Sequence, residues 1–162
     1  KRNSLEEKKF IERLSFGGNF QITSTDPVII DASPTVAYGV SKVFQVGLGI
    51  TYRQTFGNDT INRLSDQLWG YRTFGDYNFW KGFFSRVEYE QLFQKIDGLE
   101  TEAFNDRWDS TIGFSLGLGK RFKIKKKISA FAIIQYNFLH SEEDGITPNA
   151  WSPRFGVDFT PW

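Results

Sequence analysis

Apolar and polar residues alternate with a period of two along most of this chain. The stretches run to about ten residues or longer, the length a tilted strand needs to cross a bilayer. The first sets Leu14, Phe16, Phe20 and Ile22 against Ser15, Gly17, Asn19, Gln21 and Thr23. After a short turn at residues 24–27, Ile30, Ala32, Val36, Tyr38 and Val40 alternate with Asp31, Ser33, Thr35 and Gly39. A Ser41-Lys42 turn leads to the clearest stretch, Phe44, Val46, Leu48, Ile50, Tyr52 and Phe56 against Gln45, Gly47, Gly49, Thr51, Arg53 and Thr55. The fourth sets Trp69, Tyr71, Tyr77 and Phe79 against Gly70, Arg72, Phe74, Asp76 and Asn78. Val87, Tyr89 and Phe93 oppose Arg86, Glu88 and Glu90 in the fifth. In the sixth, Ile112, Phe114, Leu116 and Leu118 oppose Thr111, Gly113, Ser115, Gly117, Gly119 and Arg121. The seventh sets Ala132, Ile134, Tyr136 and Phe138 against Ser129, Gln135 and Asn137, with Phe131 and Ile133 interrupting the polar side. Trp151, Phe155, Val157 and Phe159 oppose Arg154, Gly156, Asp158 and Thr160 in the last.

The connections differ in length from one end to the other. Tight turns are expected near Ser41, Trp80 and Lys123, and long polar loops at 57–65, 96–107 and 140–150, with a short one near Thr25. Short turns on one side and long loops on the other are the habit of outer-membrane barrels, whose termini are periplasmic. The pattern predicts an all-β fold, a closed antiparallel transmembrane barrel of about eight strands in an up-and-down meander. Residues 1–11 read as a short polar periplasmic segment with some helical character, and 12–162 as the barrel.

Composition sharpens this. The chain has 162 residues, enough for one domain, and 17% are aromatic, with 17 Phe and 15 Gly. A soluble core seldom needs so many aromatics, whereas a barrel in lipid uses them as interfacial girdles. The net charge of +1 offers no broad case for nucleic acid. Cysteine is absent and histidine occurs once, which removes disulfides, thiolate sites and multi-histidine metal sites. There is no apolar run of about 18 residues, hence no membrane helix. The charged opening at residues 1–10 lacks an apolar signal core, so any secretion signal is expected to have been removed already.

A soluble lipocalin-type barrel would turn the apolar face inward instead. Three features favour the membrane version. Gly47, Gly49, Gly113, Gly117 and Gly119 all lie on the polar face, where a crowded bore needs small residues. Charges of both signs fall mid-stretch on that same face: Arg53, Arg72, Arg86 and Arg154 with Asp31, Asp76, Glu88, Glu90 and Asp158. Aromatics gather at stretch ends, where headgroups would lie. The girdle is expected at Phe44, Tyr52, Trp69, Phe79, Trp80, Trp108 and Trp151, with Phe56 and Phe122 nearby. The lumen residues Arg53, Arg72, Asp76, Arg86, Glu88, Glu90, Arg154 and Asp158 are expected to pair and close the narrow bore. An ion pathway is the alternative reading of the same charges.

Four segments carry a resemblance: Leu14-Ser15-Phe16-Gly17-Gly18-Asn19; Val46-Gly47-Leu48-Gly49-Ile50-Thr51-Tyr52; Phe84-Ser85-Arg86-Val87-Glu88-Tyr89-Glu90; and Arg154-Phe155-Gly156-Val157-Asp158-Phe159. The chain resembles the small outer-membrane barrel proteins of Bacteroidota over nearly its whole length, through motifs that report architecture more than activity. Its last strand is similar to the C-terminal assembly signal of outer-membrane proteins, continued here to Trp162. The resemblance implies an outer-membrane location. It also implies, by analogy, an accessory place beside larger secretion, uptake or barrel-assembly machines with their surface lipoproteins.

Chemistry is thin. His140-Ser141-Glu142-Glu143-Asp144 is the one cluster that invites a rim enzyme such as a lipid A deacylase. Adjacent strand residues point to opposite faces, however, so His140, on the lipid-facing register, is poorly placed to serve Ser141. The acidic stretch Asp97, Glu100, Glu102, Asp106 and Asp109 lacks the spacing of a calcium loop and reads as solvated or partner-binding. Lys123, Lys125, Lys126 and Lys127 read as a solvated turn, with anionic headgroups or a partner as the other option. Asn58-Asp59-Thr60 matches a glycosylation sequon of little weight in a bacterial loop. Ala32, Pro34 and Ala132 soften the outer wall where a neighbouring barrel could sit, and Pro34 and Pro153 mark local distortion. The expectation is a non-enzymatic barrel without cofactor or metal, in contact with outer-membrane lipid including lipopolysaccharide. It would act as a structural or accessory subunit; a narrow pore comes second and a rim enzyme third.

Overall fold

The computed structural model describes residues 5, 7–25, 28–56, 68–96, 107–140 and 150–159. Among them, eight strands follow in order: β1 (Leu14–Thr25), β2 (Val28–Gly39), β3 (Phe44–Phe56), β4 (Leu68–Trp80), β5 (Phe83–Ile96), β6 (Arg107–Lys125), β7 (Ile128–Asn137) and β8 (Trp151–Phe159). Each pairs antiparallel with the next. β1 also pairs with β8, Phe16 opposite Phe159 and Phe20 opposite Phe155, which closes the barrel. The expected all-β meander is the observed fold. Closure leaves no edge strand around the barrel wall, although β6 before Phe114 pairs with β5 alone among the described residues.

Period-two patterning holds every strand in register, because a slip of one residue would carry its apolar set to the other face. The outcome is an inside-out distribution. Arg72 and Arg86 are 2% exposed and Asp76 is 0% exposed, all pointing into the bore, whereas Leu48, Ile50 and Leu118 are 59–61% exposed on the outer wall. A soluble barrel would show the reverse.

The turns at one end have local causes. Between β2 and β3, the Ser41 hydroxyl accepts the backbone N–H groups of Val43 and Phe44 at 3.3 and 3.1 Å. Lys81 (φ 42°) and Gly82 (φ 87°) join β4 to β5. Two consecutive residues at positive φ match the two-residue hairpin whose twist suits the flanking strands. β6 runs past the turn expected near Lys123. Its register shifts between Lys123 and Lys125, which displaces Ile124 from the ladder and moves the connection to residues 126–127. β1 begins and β8 ends at this same end.

A 3₁₀ helix (Phe10–Arg13) precedes β1. The Arg13 guanidinium donates to the carbonyls of Leu5 and Lys8 at 2.6 and 3.2 Å and to the Tyr38 hydroxyl at 3.0 Å. Phe10 stacks on Tyr38 at 5.2 Å, so the lead-in is tied to the foot of β2.

At the far end, β5 and β6 reach into the loop expected at 96–107, with Ile96 opposite Arg107. The remaining loop residues, including Asn58, Asp97, Glu100, Glu102 and Asp106, lie outside the described residues. His140 does not lie on a strand. β7 ends at Asn137, whose side-chain oxygen accepts the N–H groups of Phe114 and Leu139 at 3.2 and 3.0 Å. The strand register assigned to His140 therefore does not apply.

Candidate functional site

The bore is filled by side chains in tiers, and the inward positions of β5 (Arg86, Glu88 and Glu90) run through them. Nearest the turns, Asp76 receives Arg86 Nε and Nη2 at 2.6 and 2.9 Å, Arg121 Nη2 at 2.8 Å and Gln45 Nε2 at 2.9 Å. Arg121 also donates to Asp158 at 3.0 Å and to Asn78 at 2.7 Å. In the next tier Arg72 lies 3.5 Å from Glu88 and 3.1 Å from Glu90. Arg154 pairs with Glu88 and lies 3.5 Å from Glu90. Ser33 and Thr51 accept from Arg72, and Gln21 and Ser152 from Arg154. Nearer the loops, Arg53 grips Asp31 through two bonds of 2.7 and 2.9 Å, the fork geometry that makes arginine–carboxylate pairs specific.

All eight residues proposed for the lumen network therefore lie inside and are paired. Arg121 and Asp31 belong with them. Among the described residues Arg53, Arg72, Arg86, Arg121 and Arg154 face Asp31, Asp76, Glu88, Glu90 and Asp158, five charges against five. Interior charges need both a partner and hydrogen bonds to offset their desolvation, and here every one of these ten side chains has both, although Glu88 keeps one carboxylate oxygen, Oε2, that no protein group meets. Gln135 and Asn19 keep buried amide atoms that no protein group meets, the kind that internal water satisfies.

An aromatic collar sits around the turn-side tier. Arg86 Cζ lies 4.2 Å from the centre of Phe74, and Arg121 Cζ 4.3 Å from that of Phe84. Phe131 meets Phe84 edge-on at 6.1 Å, with Ile133 alongside. This explains the apolar interruption on the seventh stretch: Phe131 and Ile133 fill the bore. Each ring stands directly opposite a glycine on the next strand, Phe74 across from Gly47, Phe84 from Gly119 and Phe131 from Gly156. The large inward charges follow suit, with Arg72 opposite Gly49 and Arg86 opposite Gly117.

A Cβ at Gly119 would come within 2.6 Å of the Phe84 ring and 2.8 Å of the Ala132 carbonyl oxygen, which is backbone and cannot step aside. Gly119→Ala is therefore expected to lose about 1–3 kcal/mol, the usual cost of overpacking. At Gly113 the nearest atom is 3.4 Å away, at the flexible end of Asn137. Gly113→Ala should be neutral or stabilising. Urea midpoints in detergent test the pair, and equal midpoints would remove the argument for glycine as a spacer.

The outer wall carries two belts. Tyr52 faces Trp69, Trp69 stacks on Phe93 at 4.8 Å, and Trp151 meets Tyr136 at 5.0 Å near the loops. Phe44, Phe79 and Trp80 ring the turn end, where Phe83 stacks on Trp80 at 6.0 Å and the Lys120 ammonium sits 4.7 Å from Phe83. Trp108 lies on β6 opposite Lys95, and its side chain is outside those described.

Among the described residues no group of His, Cys, Asp and Glu could hold a metal ion. His140 makes no hydrogen bond or ion pair with another described residue, and residues 141–144 lie outside them.

No protein-family model matches the chain, and no curated protein matches it. Among solved structures it is similar to the N-terminal β-barrel domain of Pseudomonas aeruginosa OprF, with a TM-score of 0.52 and 12% identity over 91% of this chain and 96% of that one. It is also similar to Neisserial surface protein A (NspA), with a TM-score of 0.53 and 10% identity over 91% of this chain and 94% of that one. At such identities the likeness is one of fold.

Proposed function

We propose that this protein is an integral outer-membrane β-barrel whose bore is closed, serving as a structural or accessory subunit of a larger outer-membrane complex rather than as an enzyme or a channel. The observation that carries this reading is the combination of a charge-paired, charge-balanced interior with an apolar exterior bounded by aromatic belts. Phe44 and Tyr52 are eight residues apart on β3, roughly 26 Å along the strand at about 3.3 Å per residue. On an axis from which strands tilt by roughly 40° that is about 20 Å, close to the apolar band of outer-membrane barrels. The end bearing the tight turns and both ends of the strand order faces the periplasm in this reading, and the loops face outward among lipopolysaccharide.

Two shallow apolar depressions on the wall of β2–β5, about 740 and 570 Å³, support an accessory role. Thr73, Gly75 and Ser85 replace bulky side chains in the first, and Pro34 borders the second. Small residues let a second transmembrane surface approach closely. The partner envisaged is a larger barrel, with surface lipoproteins at the loops.

The test is a mild-detergent pull-down of tagged protein from native outer membranes, with planar-bilayer recording of the purified barrel. Stoichiometric recovery of a larger barrel and a silent bilayer are expected. Recovery of the protein alone would remove the accessory role, and resolved conductance steps would remove the closed bore.

A further inference from the structure

At the turn end the bore opens into a recess of about 620 Å³. Lys42 from the β2–β3 turn, Lys81 from the β4–β5 turn and Lys123 from β6 line its rim, and Arg121, Asn78 and Ser129 line its interior. Two turns and one strand thus each deliver an ammonium to one concavity. Arg121 already gives three of its five N–H donors to Asp76, Asp158 and Asn78. The two arginines of that tier, Arg86 and Arg121, are balanced by those two aspartates, so the bore beneath the recess is neutral. No carboxylate among the described residues pairs with Lys42, Lys81 or Lys123, and Lys81 has only the face of Trp80, 5.1 Å from its ammonium.

Three like charges around one cavity, with no described carboxylate paired to any of them, repel each other. The low-dielectric walls of a cleft focus their field on whatever enters. An anion in the recess relieves that repulsion. One carrying about two negative charges or more gains most, and lysine binds phosphate as a point charge. The volume falls in the range of small-ligand sites. Nearby exposed Lys125, Lys126 and Lys127 add to the same field, while the exposed acids of the lead-in, Glu7 and Glu12, stand among Lys8, Lys9 and Arg13.

We infer that the turn-side mouth is a phosphate-binding site, taking a phosphomonoester or diphosphate group between Lys42, Lys81 and Lys123, with the Ser129 hydroxyl as a further donor. The group can belong to a soluble phosphate ester or to a lipid headgroup at the turn-side membrane surface. The site stands on the geometry of the mouth, and only the lipid source rests on the membrane reading above.

The test is calorimetric titration of the intact barrel with pyrophosphate at constant ionic strength, first in phosphatidylcholine nanodiscs. One saturable site is expected. The variant Lys42→Gln/Lys81→Asn/Lys123→Gln, with asparagine chosen because it tolerates the positive φ of Lys81, should weaken binding by about tenfold or more, the worth of one charge-assisted contact. Lys125→Gln/Lys126→Gln/Lys127→Gln removes the same charge outside the recess and should change affinity by less than about threefold, since salt screens exposed charges at a distance. Absence of saturable binding, or equal loss in both variants, overturns the site. Repetition in nanodiscs containing phosphatidic acid, whose headgroup is a phosphomonoester, against phosphatidylglycerol nanodiscs of equal surface charge separates the sources: pyrophosphate binding weakened more by phosphatidic acid identifies the lipid phosphate as occupant, and equal binding in the two a soluble one.

Discussion

Replacing Asp76 with alanine is expected to remove about 3–5 kcal/mol of stability, the cost of stranding a buried charge by deleting its partner. Asp76 is 0% exposed and accepts four hydrogen bonds, two from Arg86 and one each from Arg121 and Gln45. Arg121 would keep Asp158. Arg86 would keep the rings of Phe74, Phe84 and Phe131, and cation–π contacts are worth only about 0.5–2 kcal/mol. Arg86 is 2% exposed and does not line the recess at the turn end, so most of the loss falls on it. Equilibrium urea unfolding of the purified barrel in detergent provides the measurement. Asp76→Leu/Arg86→Met, which removes both charges and refills the volume, should recover much of the loss, since buried pairs are often replaceable by apolar groups of similar size. A single variant within about 1 kcal/mol of the parent would mean that water reaches Arg86. The closed bore would then fall, and conduction would become the leading reading.

How the charges meet explains what could be read from the residues alone. Period-two alternation is enough to put Arg72, Asp76, Arg86, Glu88 and Arg154 on one face, because side-chain direction depends only on parity. Partnership needs register, and register depends on irregularities that leave no clear mark in composition. Across the β4–β5 hairpin, Trp80 stands opposite Phe83, but the ladder shifts between Asn78 and Trp80. That bulge is what places Asp76 opposite Arg86 and Arg72 opposite Glu90. A turn extrapolated without it would put each acid one residue out. The bulge at Ile124 misplaced the third turn for the same reason.

Contacts across the bore lie a step further from the sequence. Arg121 reaches Asp158 from a strand that is not its neighbour, and Arg154 reaches Glu88 likewise. Only closure brings them together. The aromatic collar illustrates the limit from the other side. Phe131 and Ile133 looked like noise on a polar face because the small residues that admit them belong to other strands, Gly156 for Phe131 and Gly119, through Phe84, for the cluster as a whole.

The outer wall offers the second large effect, and the one that separates a lipid-facing surface from a merely exposed one. Leu48 lies midway between Phe44 and Tyr52 on β3 and is 59% exposed. In a water-soluble barrel Leu48→Arg would fall within about 0.5 kcal/mol of neutral, as most exposed substitutions do. In a bilayer an arginine at the midplane of a barrel wall costs about 2–4 kcal/mol, falling to about 0–1 kcal/mol near the interfaces. The expected result is therefore a depth profile. Leu48→Arg should lower the folding free energy in phospholipid vesicles by about 2–4 kcal/mol. Trp80→Arg, at the turn-side belt, should lose less, because its side chain can reach headgroups. Reversible urea titrations of vesicle-inserted protein measure both. Equal small losses at the two positions would mean that no hydrocarbon covers Leu48 and would overturn the membrane reading. A steep difference would place Leu48 deep in the hydrocarbon and make the wall of β2–β5, with its depressions at Gly75 and Pro34, the surface on which to seek a neighbouring barrel.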